Sequence, residues 1–261
     1  MYYNKLYGLE HLRKALHGTA GVSVLPWRVY RKPEEFQPGH FPGAKRVLLR
    51  TNLEGNMNRG AWGNLPREEA TPREAREVMA QLSRKWVEKL LTDSSGIWLR
   101  GTEKPRSLHF IVHSVEPRAN YPIACIVERQ LGISSRWFFN VKTLSRGNKV
   151  WRTAAITDSE DSQSADDLET LKKALHKLKT NLNKRQVNTL ANRIVRACTA
   201  IEKHFKKQGV DLEETVLETS LAVNKREPTK PEFYDLLLKP ETLTGLTTAG
   251  RPIEIDASVM D

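Results

Sequence analysis

The alternation of apolar and polar positions divides the chain into helical and extended stretches. Leu6, Leu9, Leu12 and Leu16 recur at helical spacing and predict a short helix over residues 3–17, with Gly18 as its stop. Residues 22–30 read as a first strand interrupted by Pro26. Residues 31–45, with Pro33, Pro38, Gly39, Pro42 and Gly43, read as a loop. A compact strand over 46–52 is centred on Val47, Leu48 and Leu49, and a Gly- and Asn-rich loop over 53–70 follows it. The clearest helix start is Thr71, which can cap, with Pro72 in the first helical position and Glu74 completing a capping box. Val78, Met79, Leu82, Trp86, Leu90 and Leu91 then line one face as far as Thr92.

From residue 96 the pattern becomes extended. Strands are predicted over 97–100, 108–115, 123–129, 136–144 and 150–156, separated by turn signals such as Lys104-Pro105, Glu116-Pro117, Gly132 and Arg146-Gly147-Asn148. Short links between neighbouring strands indicate a mostly antiparallel sheet, and residues 123–127, apolar on both faces, read as its centre. Residues 158–167 hold five acidic residues and three serines and read as a linker. Leu168, Leu171, Leu175, Leu178 and Leu182 then step by 3, 4, 3 and 4, a seam for another helix or the sheet. Asn183 with Gln186 caps a further helix whose buried face is Val187, Leu190, Ile194, Ala197, Ile201 and Phe205, ending at Gly209. Asp211 and Glu214 suggest an acidic helix running to Pro228. A short helix is read around Phe233, and an edge strand over 252–255.

The fold class this predicts is α+β: a mostly antiparallel sheet covered by helices, followed by a helical C-terminal subdomain. Residues 1–157 would form the sheet domain. Residues 158–261 would form the helical subdomain, with basic helices over about 168–207 and an acidic tail. At 261 residues the chain is long enough to bury a core without staples, and its 39% apolar and 28% charged residues exclude collagen-like and wholly disordered classes. No apolar run reaches the roughly 18–20 residues a membrane span needs, so no membrane association is expected. The first sixteen residues lack the apolar core and cleavage site of a secretory signal. Two cysteines, Cys125 and Cys198, in apolar surroundings suit a reducing, cytoplasmic compartment.

Charge changes the picture most. The net charge is +11, distributed as +12 over residues 1–150, −5 over 151–170, +10 over 171–207 and −6 over 208–261. A nearly all-basic segment of 37 residues suits a polyanion whose counterions it would displace. Lys172, Lys173, Lys177, Lys179, Lys184, Arg185, Arg193 and Arg196 would form the rail, although a solvated helix face is the plain alternative.

Three further groupings bear on chemistry. The loop of residues 54–67 brings Gly55, Gly60 and Gly63 together with Arg59, Trp62 and Arg67, a composition suited to a phosphate and a stacked base. It is neither a P-loop nor a dinucleotide fingerprint, and its glycines also suit an ordinary turn. His109 and His113 share a strand face with Ile111. Either suits general acid/base work, with Glu116 or Glu128 to orient it, but roughly 13 Å of strand separates them, too far for one metal. Arg136, Phe138, Asn140 and Lys142 share another strand face, resembling a base-stacking platform. No metal motif and no cofactor motif is present, so neither a metal nor a cofactor is expected.

These features lead to the expectation of a nucleic-acid-binding protein, with RNA or single-stranded DNA preferred over duplex. The alternatives are an enzyme acting on a nucleotide or phosphorylated substrate through a histidine acid/base, and a basic subunit docking a protein partner through the leucine seam of residues 168–182.

Overall fold

The structure, a computed structural model, describes residues 5–54, 67–92, 107–115, 120–129, 137–144, 151–156, 167–177, 182–210, 212 and 215–240. The fold is α+β, and the chain divides into two compact units. One comprises Met1–Tyr7 with Leu25–Pro117, the other Gly8–Val24 with Arg118–Asp261.

The break near Leu25 has a local cause. Pro26 cannot donate to a sheet ladder, and the expected first strand is two strands in different sheets: β1 (Ser23–Val24) and β2 (Trp27–Tyr30). In the first unit β2, β3 (Arg46–Glu54), β4 (Arg67–Ala70) and β5 (Ser107–Val115) form an antiparallel sheet in the order β2-β5-β3-β4. Side chains alternate across such a sheet. One face carries Val47 and Leu49 of β3, Phe110 and Val112 of β5 and Tyr30 of β2. These pack with Phe36 and Phe41 and with Ala75, Met79 and Leu82 of α2 (Ala75–Thr92) into one hydrophobic core. The helix begins three residues after Pro72, because Thr71 to Glu74 forms a turn first. The Glu74 carboxylate accepts from the backbone N–H of Thr71 at 3.0 Å and from its hydroxyl at 2.8 Å.

The second unit is built on a six-stranded sheet, in the order β1-β10-β9-β6-β7-β8. It comprises β6 (Ile123–Arg129), β7 (Trp137–Leu144), β8 (Trp151–Ile156), β9 (Thr215–Val223) and β10 (Pro231–Pro240) with β1. All pairs are antiparallel except β1 with β10. The register sets Cys125 and Val127 of β6, Phe139 and Val141 of β7, Leu217 and Leu221 of β9 and Leu236 of β10 on one face. Against this unit's strands lie α3 (Asp167–Lys177) and α4 (Lys184–Lys207). All six residues expected on the buried face of α4 are buried. Its cap is the expected one: Asn183 Oδ1 accepts from the Gln186 N–H at 2.9 Å, and Gln186 Oε1 accepts from the Asn183 N–H at 3.0 Å. Arg193 fastens the helix further, donating to the Thr229 carbonyl at 2.8 Å and the Thr229 hydroxyl at 2.9 Å. Gly21, at φ 76°, leaves room for that guanidinium where a Cβ would overlap it.

From Gly8 onward α1 (Lys5–Leu16) belongs to this unit. It approaches β10 so closely that a Cβ at Gly8 would overlap the Leu236 carbonyl oxygen. Cys125 on the sheet and Cys198 on α4 are both free and buried, and burial pushes both thiols well above the usual range. The thiolates that could react are therefore suppressed.

Two expected elements are corrected. The acidic helix before Pro228 is the strand β9, and the helix around Phe233 is the strand β10, so the C-terminal region is not a separate helical subdomain but completes the second sheet. Both strands are largely buried on both faces, and the polar residues Glu218, Ser220 and Asp235 on a buried face leave no clean alternation to tell strand from helix. The boundary expected at residue 157 falls at Pro117. The strands expected at 97–100 and 252–255 lie outside the described residues.

Candidate functional site

Each unit has a sheet face that is polar and nonetheless buried. In the first unit it is the face away from the hydrophobic core. Arg50 of β3 stands directly opposite Arg67 of β4 on one side and Ile111 of β5 on the other. Asn52 stands opposite His109, and His113 stands opposite Leu48 and Trp27. His109 and His113 are therefore the two diagonal neighbours of Arg50, within reach of a long side chain. Arg50 is 4% exposed, Asn52 2% and His113 0%, while Arg67 is exposed. Two arginines thus face each other across the ladder. Arg46, on the same face, has its Nε 3.4 Å from the Glu69 carboxylate.

In the second unit the polar face is the one opposite Cys125 and Val127. Glu128 of β6 is directly opposite Glu218 of β9 and, on its other side, Phe138 of β7. Asp235 of β10 pairs with Ser220, two residues from Glu218 on the same face, and so is a diagonal neighbour of Glu218. Asn140 and Lys142 of β7 continue the face beyond Phe138. Glu128 is 1% exposed, and the amide oxygen of buried Asn140 has no hydrogen-bond partner among the described residues. Two carboxylates thus face each other across the ladder. Among the described residues no three His, Cys, Asp or Glu side chains converge as a self-sufficient metal cage.

No family model and no curated protein sequence matches this chain. Solved structures do resemble it, distantly. One is an N5-carboxyaminoimidazole ribonucleotide synthetase in its ADP complex, with 9% identity and a TM-score of 0.46; the match covers 92% of this chain and 46% of that one. Another is a D-cycloserine synthetase, with 14% identity and a TM-score of 0.43 over 92% of this chain and 63% of that one. A third is a dinucleotide-forming acetyl-coenzyme A synthetase from Ca. Korarchaeum cryptofilum, in complex with coenzyme A, Ca-AMPCP and HgCl+. It shows 12% identity and a TM-score of 0.49 over 91% of this chain and 92% of that one. The chain thus spans less than two thirds of the first two. The expectation of a nucleic-acid-binding protein is corrected here: these structures are synthetases, and none of them is described as binding RNA or DNA.

The expected site residues fall in different surroundings. Phe138, expected as a stacking surface, is 8% exposed and stands beside Glu128. On the basic helices Lys172 is tied to Glu169 at 2.6 Å and Arg193 is committed to Thr229, while Lys173, Lys184, Arg185 and Arg196 are exposed. Of the leucine seam, Leu171 and Leu175 are buried on a helix that contacts α4, β7 and β8, Leu168 and Leu182 are half-buried, and Leu178 lies outside the described residues. Of the loop, only its two ends are described, Glu54 closing β3 and Arg67 opening β4; Arg59, Trp62, Arg136 and Lys179 lie outside the described residues, as does the side chain of Lys177. His109 and His113 share a face with Ile111 as expected, but Glu128, considered as their orienting acid, belongs to the other unit.

Arg50, Asn52, Glu128, Glu218 and Asp235 were not singled out as binding residues by the sequence reading. The available signal was a charged residue inside an otherwise apolar strand, as in Val47-Leu48-Leu49-Arg50 and Val216-Leu217-Glu218-Thr219. A charge in such a place is uncommon unless it is paired.

Proposed function

We propose that this chain is an enzyme acting on a nucleotide or another phosphorylated substrate. The observation that carries the proposal is the cross-strand pairing of buried Arg50 with exposed Arg67 in the first unit, with Asn52, His109 and His113 on the same face. Arginine presents a planar fork of donors that matches phosphate oxygens, and two forks on adjacent strands suit a charged group of more than one phosphate. Asn52 adds a neutral donor beside His109. In this reading Arg50 and Arg67 bind and neutralise the phosphate, and His109 or His113 moves a proton at the substrate oxygen that gains or loses it.

The acidic face of the second unit supports the same class of chemistry. Glu128 and Glu218 offer hard carboxylate oxygens, the donor type that suits magnesium, calcium or manganese. Magnesium is commonly held by one or two carboxylates together with substrate phosphates rather than by an all-protein cage. Such a pair fits that habit. The free, buried cysteines support a cytoplasmic location.

Titration calorimetry with ATP, ADP and inorganic phosphate, with and without magnesium, tests this reading. Saturable binding of at least one nucleotide is expected, weakened about tenfold or more by Arg67→Gln, an exposed position whose change leaves the core intact. Absence of binding by any of the three, or an unchanged affinity in that variant, would overturn it.

A further inference from the structure

His11 of α1 and His204 near the end of α4, both within the second unit, meet through their ring nitrogens, Nδ1 to Nε2 at 2.8 Å. Phe205 fixes both rings. His11 stacks on it, with centroids 5.4 Å apart and planes at 21°, and His204 meets it edge-on at 5.3 Å. Phe205 is fully buried, whereas both histidines are half-buried and open to exchange with solvent protons. We propose that this pair is a proton-operated latch: it holds α1 on α4 while the two rings carry three or fewer ring protons between them, and releases when both rings are fully protonated.

The proton count follows from imidazole chemistry. Two neutral rings carry one N–H each, so one ring can donate to the free nitrogen of the other. A single added proton preserves the contact, since an imidazolium still donates to a neutral imidazole. A second added proton leaves two donors facing each other and no acceptor. The charges acting on the pair oppose that last step from both elements. Lys14, one turn beyond His11 on α1, acts on both rings, and Lys207, one turn beyond His204 on α4, acts on His204.

Burial first, and these positive charges next, hold both rings below the ordinary histidine range. A group whose folded pKa is depressed contributes stability above its unfolded value and loses it as pH falls. The latch is therefore closed at pH 7.5 and weakens as pH falls below about 6.5, the ordinary histidine value. The first tie to loosen is the one between residues 8–16 and the end of α4.

Amide hydrogen exchange on the full chain at pH 7.5 and 5.5, corrected for the intrinsic pH dependence, reads this directly. Protection over residues 8–16 should fall about tenfold more than protection over the middle of α4. His11→Gln, whose amide keeps a hydrogen bond to His204 but takes no proton, should show no such excess. Equal changes in wild type and variant, or no excess in wild type, would overturn the latch. Should His11→Gln fail to fold, the imidazole C–H resonances of the wild-type protein decide. Two separate titration steps for His11 and His204 support the latch, and independent titration of both rings at the ordinary value overturns it.

Discussion

Arg129 lies on the helix-facing side of β6, at the end of a strand that is otherwise apolar on that side. Its Nε donates to Glu202 of α4 at 2.8 Å and its Nη1 donates to the Leu212 carbonyl. Both partners of the ion pair are largely out of solvent, so removing one strands the other. Arg129→Met should cost about 3–5 kcal/mol, read as a shift in the midpoint of urea unfolding at pH 7. Glu202→Gln should cost clearly less, because its amide oxygen still accepts from the guanidinium. At this scale the sequence was only partly legible. The histidine spacing and the alternation of Trp137, Phe138 and Phe139 could be read directly, because a strand's faces follow from counting by two. That Glu128 faces Glu218, or Arg50 faces Arg67, could not. Those pairs are 90 and 17 positions apart, and only the register of pairing brings them together.

Helix α4 was legible almost in full because its cap, its seven-residue span between buried positions and its stop at Gly209 agree with one another. Asn183→Ala should cost about 1 kcal/mol of stability by removing the acceptor for the Gln186 N–H, measurable by the same unfolding titration. Strands β9 and β10 were not legible, because Asp211 and Glu214 mimic a helix start and polar residues such as Glu218 and Ser220 on a buried face blur the alternation that follows. Helix α1 carries a different lesson. Its leucine spacing gave the element, but the closeness of Gly8 to Leu236 belongs to packing alone. Gly8→Ala has a better helix propensity and should nevertheless destabilise, by about 1–3 kcal/mol, because a methyl group there must push α1 off β10. Circular dichroism during thermal unfolding would show a lower midpoint for this variant.

For the whole molecule, the two polar sheet faces differ in charged residues, with facing arginines Arg50 and Arg67 in one unit and facing carboxylates Glu128 and Glu218 in the other. The net charge of +11 does not reveal this division, and the basic helices that dominate it are partly neutralised locally, as at Lys172. If the proposed function holds, the two faces should fail differently. Arg67→Gln should weaken nucleotide binding whether or not magnesium is present. Glu218→Gln should leave magnesium-free nucleotide binding nearly unchanged and weaken several-fold the binding of magnesium alone. Calorimetric titrations at stepped magnesium concentrations would separate the two cases. Among the described residues no helix is long and apolar enough to cross a membrane.

The chain's two thiols lie together in the second unit, one on its sheet and one on the helix laid over it, while the first unit has none. A thiol-modifying reagent therefore reads one half of the molecule and is blind to the other. Timed exposure to such a reagent, followed by mass measurement, would give the opening rate of the sheet–helix interface around Cys125 and Cys198 with no engineered label. Tryptophan emission carries no such bias, since Trp27 lies in the first unit and Trp137 in the second. Where the two signals part company, the units open one at a time; where they coincide, the chain unfolds as a single cooperative body.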